Sequence, residues 1–446
     1  MGNLKSLLFV FSFMLITLTG YSTAAALPVK DTIGKDFTQI QEAIDDAMAL
    51  IESAIDEALA MIQEAVDERP ALIKEATGDA VALIEEAIDD AIALLEEAIS
   101  EDLALIKETT DEAFTEAQEA IEAVADSLEQ QQVNIGLGEA IWPEEADFTG
   151  SIVAGMVSAY ELTINSVYKA AAELGGNYIL SFYEDGFRGD EAFALIRLSH
   201  MSHTPDDNLW RAAVSDFYSG VKDCVDSTAG YICQFAEMDP SIAVFYLANH
   251  VVAAYDVDAA DKEIWRQALI SHLAQVHDCC ADFPVMALGI ATWALSRTGP
   301  LDDTLIDPSG TGATCWRLKK LADLPGLVLS HQVPDDESCA GNFYRRFDHR
   351  DGGFDRPVSG YTEDAIFATL GLIAASRADS ALDLDAAILA ARRALLSRVD
   401  SEGRVFEHLE LSDSDYCAYG GEMLQVLCEC ATTGDVLDAA TETEDP

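Results

Sequence analysis

From Glu42 the chain repeats every eleven residues: EAIDDAMALIE, SAIDEALAMIQ, EAVDERPALIK, EATGDAVALIE, EAIDDAIALLE, EAISEDLALIK, ETTDEAFTEAQ and EAIEAVADSLE follow one another without a gap to Glu129. A period this regular fixes the architecture of the segment before any finer feature is considered. Eleven residues in three turns is ~3.67 per turn, so helices of this kind run nearly straight or supercoil gently right-handed. At ~100° per residue, unit positions 2, 3, 6, 7, 9 and 10 share one wide apolar arc and positions 1, 4, 5 and 11 carry the carboxylates. Such an arc does not stay in water, so a homo-oligomer or intramolecular packing through this stalk, residues 36–130, is expected. Pro70 and Gly78 interrupt the pattern and place a bend near 69–78, which leaves a hairpin and a kinked rod both open.

Charge narrows the function classes. Residues 36–130 hold 28 acidic residues and three basic ones, close to half of the chain's net charge of −54. Phosphate-backbone binding needs Lys and Arg to displace counterions, so nucleic acid is excluded as a partner. At the N-terminus, Lys5 precedes an apolar run from Leu7 to Leu18 and then Ala24-Ala25-Ala26. That order reads as a secretory signal over residues 1–26, cut after Ala26, with a short leader at 27–35. The run is well short of the ~20 residues that span a bilayer. The expected location is therefore secreted or periplasmic, with no transmembrane anchor. Nine cysteines, all beyond residue 220, make some disulfides plausible there, and an odd number leaves one over.

After a linker at 131–150 with Gln130-Gln131-Gln132, Gly136, Gly138 and Pro143, apolar helical segments recur, opening near Gly189, Met238, Asp282, Tyr361 and Ser414. Each begins beside Asp, Ser or Thr, the residues that cap helix starts. Rich in Ala, Gly and Leu, they read as an inner ring. Lys262–His277 and Asp385–Arg398 alternate charge and read as an outer one. The long interval between Asp282 and Thr362 leaves room for one more unit, with a helix starting between Ser309 and Thr314. The expected fold is all-α: the eleven-residue-repeat stalk, then an (α/α)5–6 toroid over residues 151–435, then an acidic tail at 436–446.

The run DGGFDRPVSGYTEDAIFATLGLIAAS, Asp351 to Ser376, has a Gly-Gly-Phe turn feeding an apolar helix. It resembles the repeat shared by protein prenyltransferase β-subunits and squalene or terpene cyclases, the α/α-toroid superfamily. The resemblance implies the fold more than any reaction. The prenyltransferases hold zinc with an Asp, a Cys two residues later and a distant His. Here Asp364 matches the first, but Ile366 and Cys417 stand at the other two positions. The D-x-D-D acid of the cyclases reduces to Asp383-Leu384-Asp385-Ala386, and the thioester G-C-G-E-Q of complement-type toroids to Gly420-Gly421-Glu422-Met423. No cofactor and no metal is expected. The stalk's eleven-residue period resembles that of apolipoproteins and synucleins, but its flanks are acidic where theirs carry Lys, which favours self-association over lipid.

In a toroid the N-terminal ends of the inner helices gather at the mouth of the central cavity. Asp190, Glu191, Tyr361, Glu363 and Asp364 would meet there, with His349 from the segment before the Gly-Gly-Phe turn. Carboxylates, a tyrosine and a histidine suit acid–base chemistry on a carbohydrate or lipid-like ligand. The same acids are also what a ring of helix caps requires. His200 and His203, with Asp206 and Asp207 beyond, have a spacing that suits a metal but also a helix terminus, where His complements the dipole. With each catalytic motif broken, the expected function is an exported, non-catalytic toroid binding module on a self-associating stalk. The alternative is an extracytoplasmic enzyme acting on a carbohydrate, as lyase or hydrolase, or on an isoprenoid. A filled cavity decides for the binder, and an open one with unpaired carboxylates for the enzyme.

Overall fold

A computed structural model describes residues 49, 51, 53–61, 63, 81–93, 115–136, 138–143, 146–181, 186–201, 209–221, 228–277, 283–334, 340–344, 361–407 and 418–441, with side chains to 432 in the last segment. The protein is predominantly helical, an all-α fold with one two-stranded hairpin among these residues. It divides into two compact units, Met1–Thr115 and Glu116–Pro446.

In the first unit, residues 53–61 and 81–93 are helical. The small residues at repeat positions 2 and 6, Ala54, Ala58, Ala87 and Ala91, are buried, whereas the larger Ile55, Leu59, Val81 and Ile92 at positions 3 and 7 stay exposed. Among the described residues of this unit, the apolar arc is therefore buried at these small positions and exposed at these large ones. The segments expected as signal peptide and as bend lie outside the described residues.

The second unit takes in more chain than the sequence pattern assigned to it. Helix α1, residues 115–131, carries the last full repeat, yet its Ile121, Val124, Ala125 and Leu128 are at most 3% exposed and belong to this unit's core. Gly403 lies so close to α1 that an added Cβ would fall 1.9 Å from the Ala123 carbonyl oxygen. The expected linker is also structured. Val133–Gly136 (β1) and Glu139–Ile141 (β2) pair antiparallel, and buried Trp142 donates its Nε1–H to Leu128 O at 2.7 Å.

Six long helices follow in the ring. Thr149–Thr163 (α2), Gly189–His200 (α4), Pro240–Asp256 (α7), Pro284–Thr298 (α9), Thr362–Ala378 (α11) and Gly420–Thr441 (α13) each contact the next, and α13 returns to α2. Outside them, Ser166–Ser181 (α3) packs on α2 and α4, and Leu209–Gly220 (α5) on α4 and α7. Past the short Thr228–Ile232 (α6), Lys262–Leu273 (α8) packs on α7 and α9, Leu324–Leu329 (α10) on α9 and α11, and Asp385–Leu396 (α12) on α11 and α13. Helix α1 completes the outer set, with Leu128 against Gly420 and Asp126 accepting from Tyr168 Oη at 2.8 Å. The sixth inner helix is thus α2. The helix anticipated between Ser309 and Thr314 is only a single 3-10 turn, Thr314–Trp316, and α10 beyond it has six residues.

Glycines set the spacing of the inner helices. A Cβ on Gly155 would lie 2.2 Å from Gly421 O, and one on Gly289 would lie 2.4 Å from the backbone of Phe367 and Ala368. Backbones this close leave no room for a methyl group. Gly155→Ala should therefore destabilise the second unit by about 1–3 kcal/mol, and Ile121→Ala by about 2–5 kcal/mol, both measured by urea denaturation. A change within ~0.5 kcal/mol for Ile121→Ala, the value of a solvated surface site, would return α1 to the stalk.

Candidate functional site

The sequence-selected acids sit on α4 and α11, which are not neighbours in the ring. On α11, Asp364 is fully buried and occupied twice. Its Oδ2 accepts from Tyr361 N at 3.2 Å at the start of its own helix, and its Oδ1 from Met286 N at 3.0 Å in the first turn of α9. One carboxylate thus satisfies open N–H groups of two helices, the need that every helix start carries. Glu363 is 1% exposed, and beside it buried Arg398 donates to Thr362 Oγ1 at 2.9 Å. On α4, Glu191 accepts from Arg188 N at 2.7 Å and pairs with the Arg188 guanidinium at 3.2 Å. Tyr361 enters through its backbone cap. His349, and the Gly-Gly-Phe turn after it, lie outside the described residues.

Asp190 behaves differently. It is 3% exposed, its Oδ1 has no hydrogen-bond partner, and it lies against Gly150 of α2, where a Cβ would come 2.5 Å from Oδ2. Burial first, and then the neighbouring Glu191 charge, push its carboxyl up to about 7, against the pull of Arg188. Tyr246 on α7 is raised as well, by burial and then by the same carboxyl.

Neither His200 nor His250 joins these acids. His200 pairs with Asp256 at 3.1 Å at the far ends of α4 and α7, where Arg211 also reaches Asp256 at 2.5 Å. His250 is enclosed by Phe217, Tyr218, Tyr231, Phe235 and Trp265, and burial lowers it to about 3, so it is neutral. Among the described residues no group of three His, Cys, Asp or Glu side chains is arranged to hold a metal. Cys233, Cys428 and Cys430 are free thiols, and the last two are pushed up by burial.

Aromatic side chains cross the ring. Phe193 of α4 meets Trp293 of α9 edge-on at 5.2 Å, and Phe245 of α7 meets Phe367 of α11 at 5.5 Å. Both pairs join helices that are not ring neighbours, so side chains occupy the interior between them. A cavity lies at the opposite end from the candidate acids. It has a volume of about 190 Å³ and is lined by Trp293, Ser296 and Arg297 of α9, Leu370, Ile373, Ala374, Arg377 and Ala378 of α11, and Glu429 of α13. Glu429 pairs with Arg377 and lies 3.7 Å from Arg297, which stacks over Trp293 at 5.3 Å. Burial first, and then the positive charges of Arg197 and Arg377, lower the Arg297 guanidinium despite Glu429.

Sequence reasoning passed over this end. The signal was present: Arg197, Arg297 and Arg377 each fall in the last turn of an inner helix, in a chain with 26 basic residues in all. No family model matches the chain, and comparison with curated proteins gives no match, so function is argued from geometry alone.

Asp190 yields a pH test. An aspartate ionises near 3.9 when unfolded, so with a folded value near 7 its cost to stability is absent below pH ~4, grows between, and is complete above pH 7. About three units correspond to ~4 kcal/mol at most. Asp190→Asn, which mimics the protonated form, should match the wild type at pH 5 more closely than at pH 7.5, where it should be more stable by ~2–4 kcal/mol. Urea melts at the two values measure the difference, and both lie above the pI of 4.1.

Proposed function

We propose that this chain is an exported, acidic, non-catalytic binding protein: an α/α toroid with a small-ligand site at the C-terminal ends of its inner helices, carried on a repeat helix that forms a homo-oligomer. The closed cycle of α2, α4, α7, α9, α11 and α13 with helices outside it supports the toroid reading. One observation carries the binding reading. Glu429, among the described residues the only carboxylate lining the cavity, is held by Arg377 and faces Arg297. Among the described residues no histidine lines the cavity to activate Ser296. Among the described residues the cavity pairs its carboxylate with no second acid or base, which favours binding over reaction. The aromatic-filled interior and the capping duty of Asp364 and Glu191 agree with this.

The enzyme reading, with a carbohydrate or isoprenoid substrate, keeps one observation in its favour: the proton-retaining carboxyl of Asp190. It is enclosed against Gly150, and substrate does not reach it among the described residues.

Two measurements test the proposal. Ala374 is 9% exposed and lines the cavity, so Ala374→Phe should fill it. In ligand-observed NMR against a panel of small acids, amines, alcohols and sugars, the wild type should show binding that the variant loses, with no compound converted. Conversion of any compound, or binding that survives the substitution, would sink the proposal. Light scattering tests the stalk. The repeated exposure of Ile55, Leu59, Val81 and Ile92 on the apolar arc should produce an oligomer that Leu59→Glu and Ile92→Glu together disperse, and a wild-type monomer would remove self-association.

A further inference from the structure

We infer that the cavity takes a small organic carboxylate, its oxyanion held by Arg297, Ser296 and Trp293 and its apolar body lying against Leu370, Ile373 and Ala374. The inference rests on the reading of this cavity as the protein's binding site. In a chain of net charge −54, three arginines from three inner helices are brought within electrostatic reach of one another here. Two of them are spent. Arg197 donates to Glu161 at 2.6 Å and to Ser158 Oγ at 3.1 Å, and Arg377 to Glu429, to Glu429 O at 3.2 Å and to Thr432 Oγ1 at 2.9 Å. Arg297 is not. Its one ion pair, with Glu429 at 3.7 Å, is longer than a hydrogen bond, and its guanidinium lies over the Trp293 ring. A guanidinium offers five N–H donors in a planar fork suited to a carboxylate.

Two further donors lack partners. Ser296 Oγ and Trp293 Nε1 are buried with no hydrogen bond, and both side chains line the cavity. Buried polar groups are nearly always satisfied, so each points to something that completes it. Helix dipoles account for arginines at C-terminal ends. They do not account for a void beside two unsatisfied donors. The ligand's charge and size follow from the walls. Glu429 adds a negative charge that opposes a dianion such as phosphate, and Leu370, Ile373, Ala374 and Ala378 form an apolar side that an inorganic ion leaves unused. A volume of about 190 Å³ is roughly that of six waters and smaller than the ~300–1,000 Å³ of drug-sized pockets, which limits the occupant to a small acid.

Isothermal titration of the protein with sodium benzoate, benzamide and inorganic phosphate at low salt tests this. Benzoate should bind at least about tenfold more tightly than either of the others. Arg297→Gln should remove that preference, and Ser296→Ala, which leaves the ion pairs intact, should weaken benzoate roughly tenfold through the lost charged hydrogen bond. If Arg297→Gln lowers the thermal transition, Ser296→Ala decides. Equal binding of benzamide and benzoate overturns the carboxylate assignment and leaves the cavity as a binding site. Tighter phosphate than benzoate, or benzoate binding indifferent to both substitutions, overturns the assignment too. Absence of binding by all three, together with an Ala374→Phe variant that behaves as wild type in the wider panel, overturns the binding site itself.

Discussion

Close approach of the inner helices at glycine governs the second unit. At Gly155 against Gly421, Gly189 against Tyr246 and Gly289 against Phe367, the missing Cβ lets one backbone lie on another. Such contacts bring helices nearer than the 8–10 Å usual between larger side chains. A ring drawn in this tightly has a narrow interior, which Phe193, Trp293, Phe245 and Phe367 are large enough to cross. Those side chains take up part of the interior that the sequence pattern left for a central cavity. A cavity lies at the far end, where the inner helices finish in Ser296-Arg297 and Arg377 and long polar side chains join Trp293 in its lining.

Electrostatics orders the two ends in opposite senses. Helix starts present unbonded N–H groups and attract acids, and helix ends present carbonyls and attract cations. Asp190, Glu191, Glu363, Asp364 and Glu422 occupy first turns of inner helices, and Arg197, Arg297 and Arg377 occupy last turns. In a chain this acidic, carboxylates at the starts are common and individually uninformative. Arginines at the ends are scarce. That asymmetry explains why a search for chemistry among the acids led to caps, while the scarcer charge marked the cavity.

The fold was legible where local pattern and tertiary role coincide. The inner helices beginning near Gly189, Met238, Asp282, Tyr361 and Ser414 correspond to α4, α7, α9, α11 and α13, because a helix surrounded by protein must be apolar on nearly every side. The amphipathic Lys262 and Asp385 segments lie outside the ring for the converse reason. Helix α2 escaped because it begins inside the Gly- and Pro-bearing stretch that reads as linker, and the hairpin of β1 and β2 escaped with it. The interval around Pro308, Gly310 and Gly312 was read as helical because a sixth inner helix was needed there, when α2 already supplied it.

Sequence by itself determined that the chain is helical, that residues 42–129 repeat every eleven residues with one apolar arc, and that its net charge is −54. Period and charge are properties of each segment alone, and they hold whatever the segment packs against. Tertiary structure decided the partners. Ile121 and Ala125 occupy the same repeat positions, 3 and 7, as exposed Ile55 and Leu59, yet they are buried because Gly403 and Gly420 leave space for α1 beside the ring. The cavity is a tertiary decision as well. It is formed by Trp293, Arg297, Arg377 and Glu429, residues on three helices far apart in the chain, and only the packing of α9 against α11, and α11 against α13, sets their donors around one space.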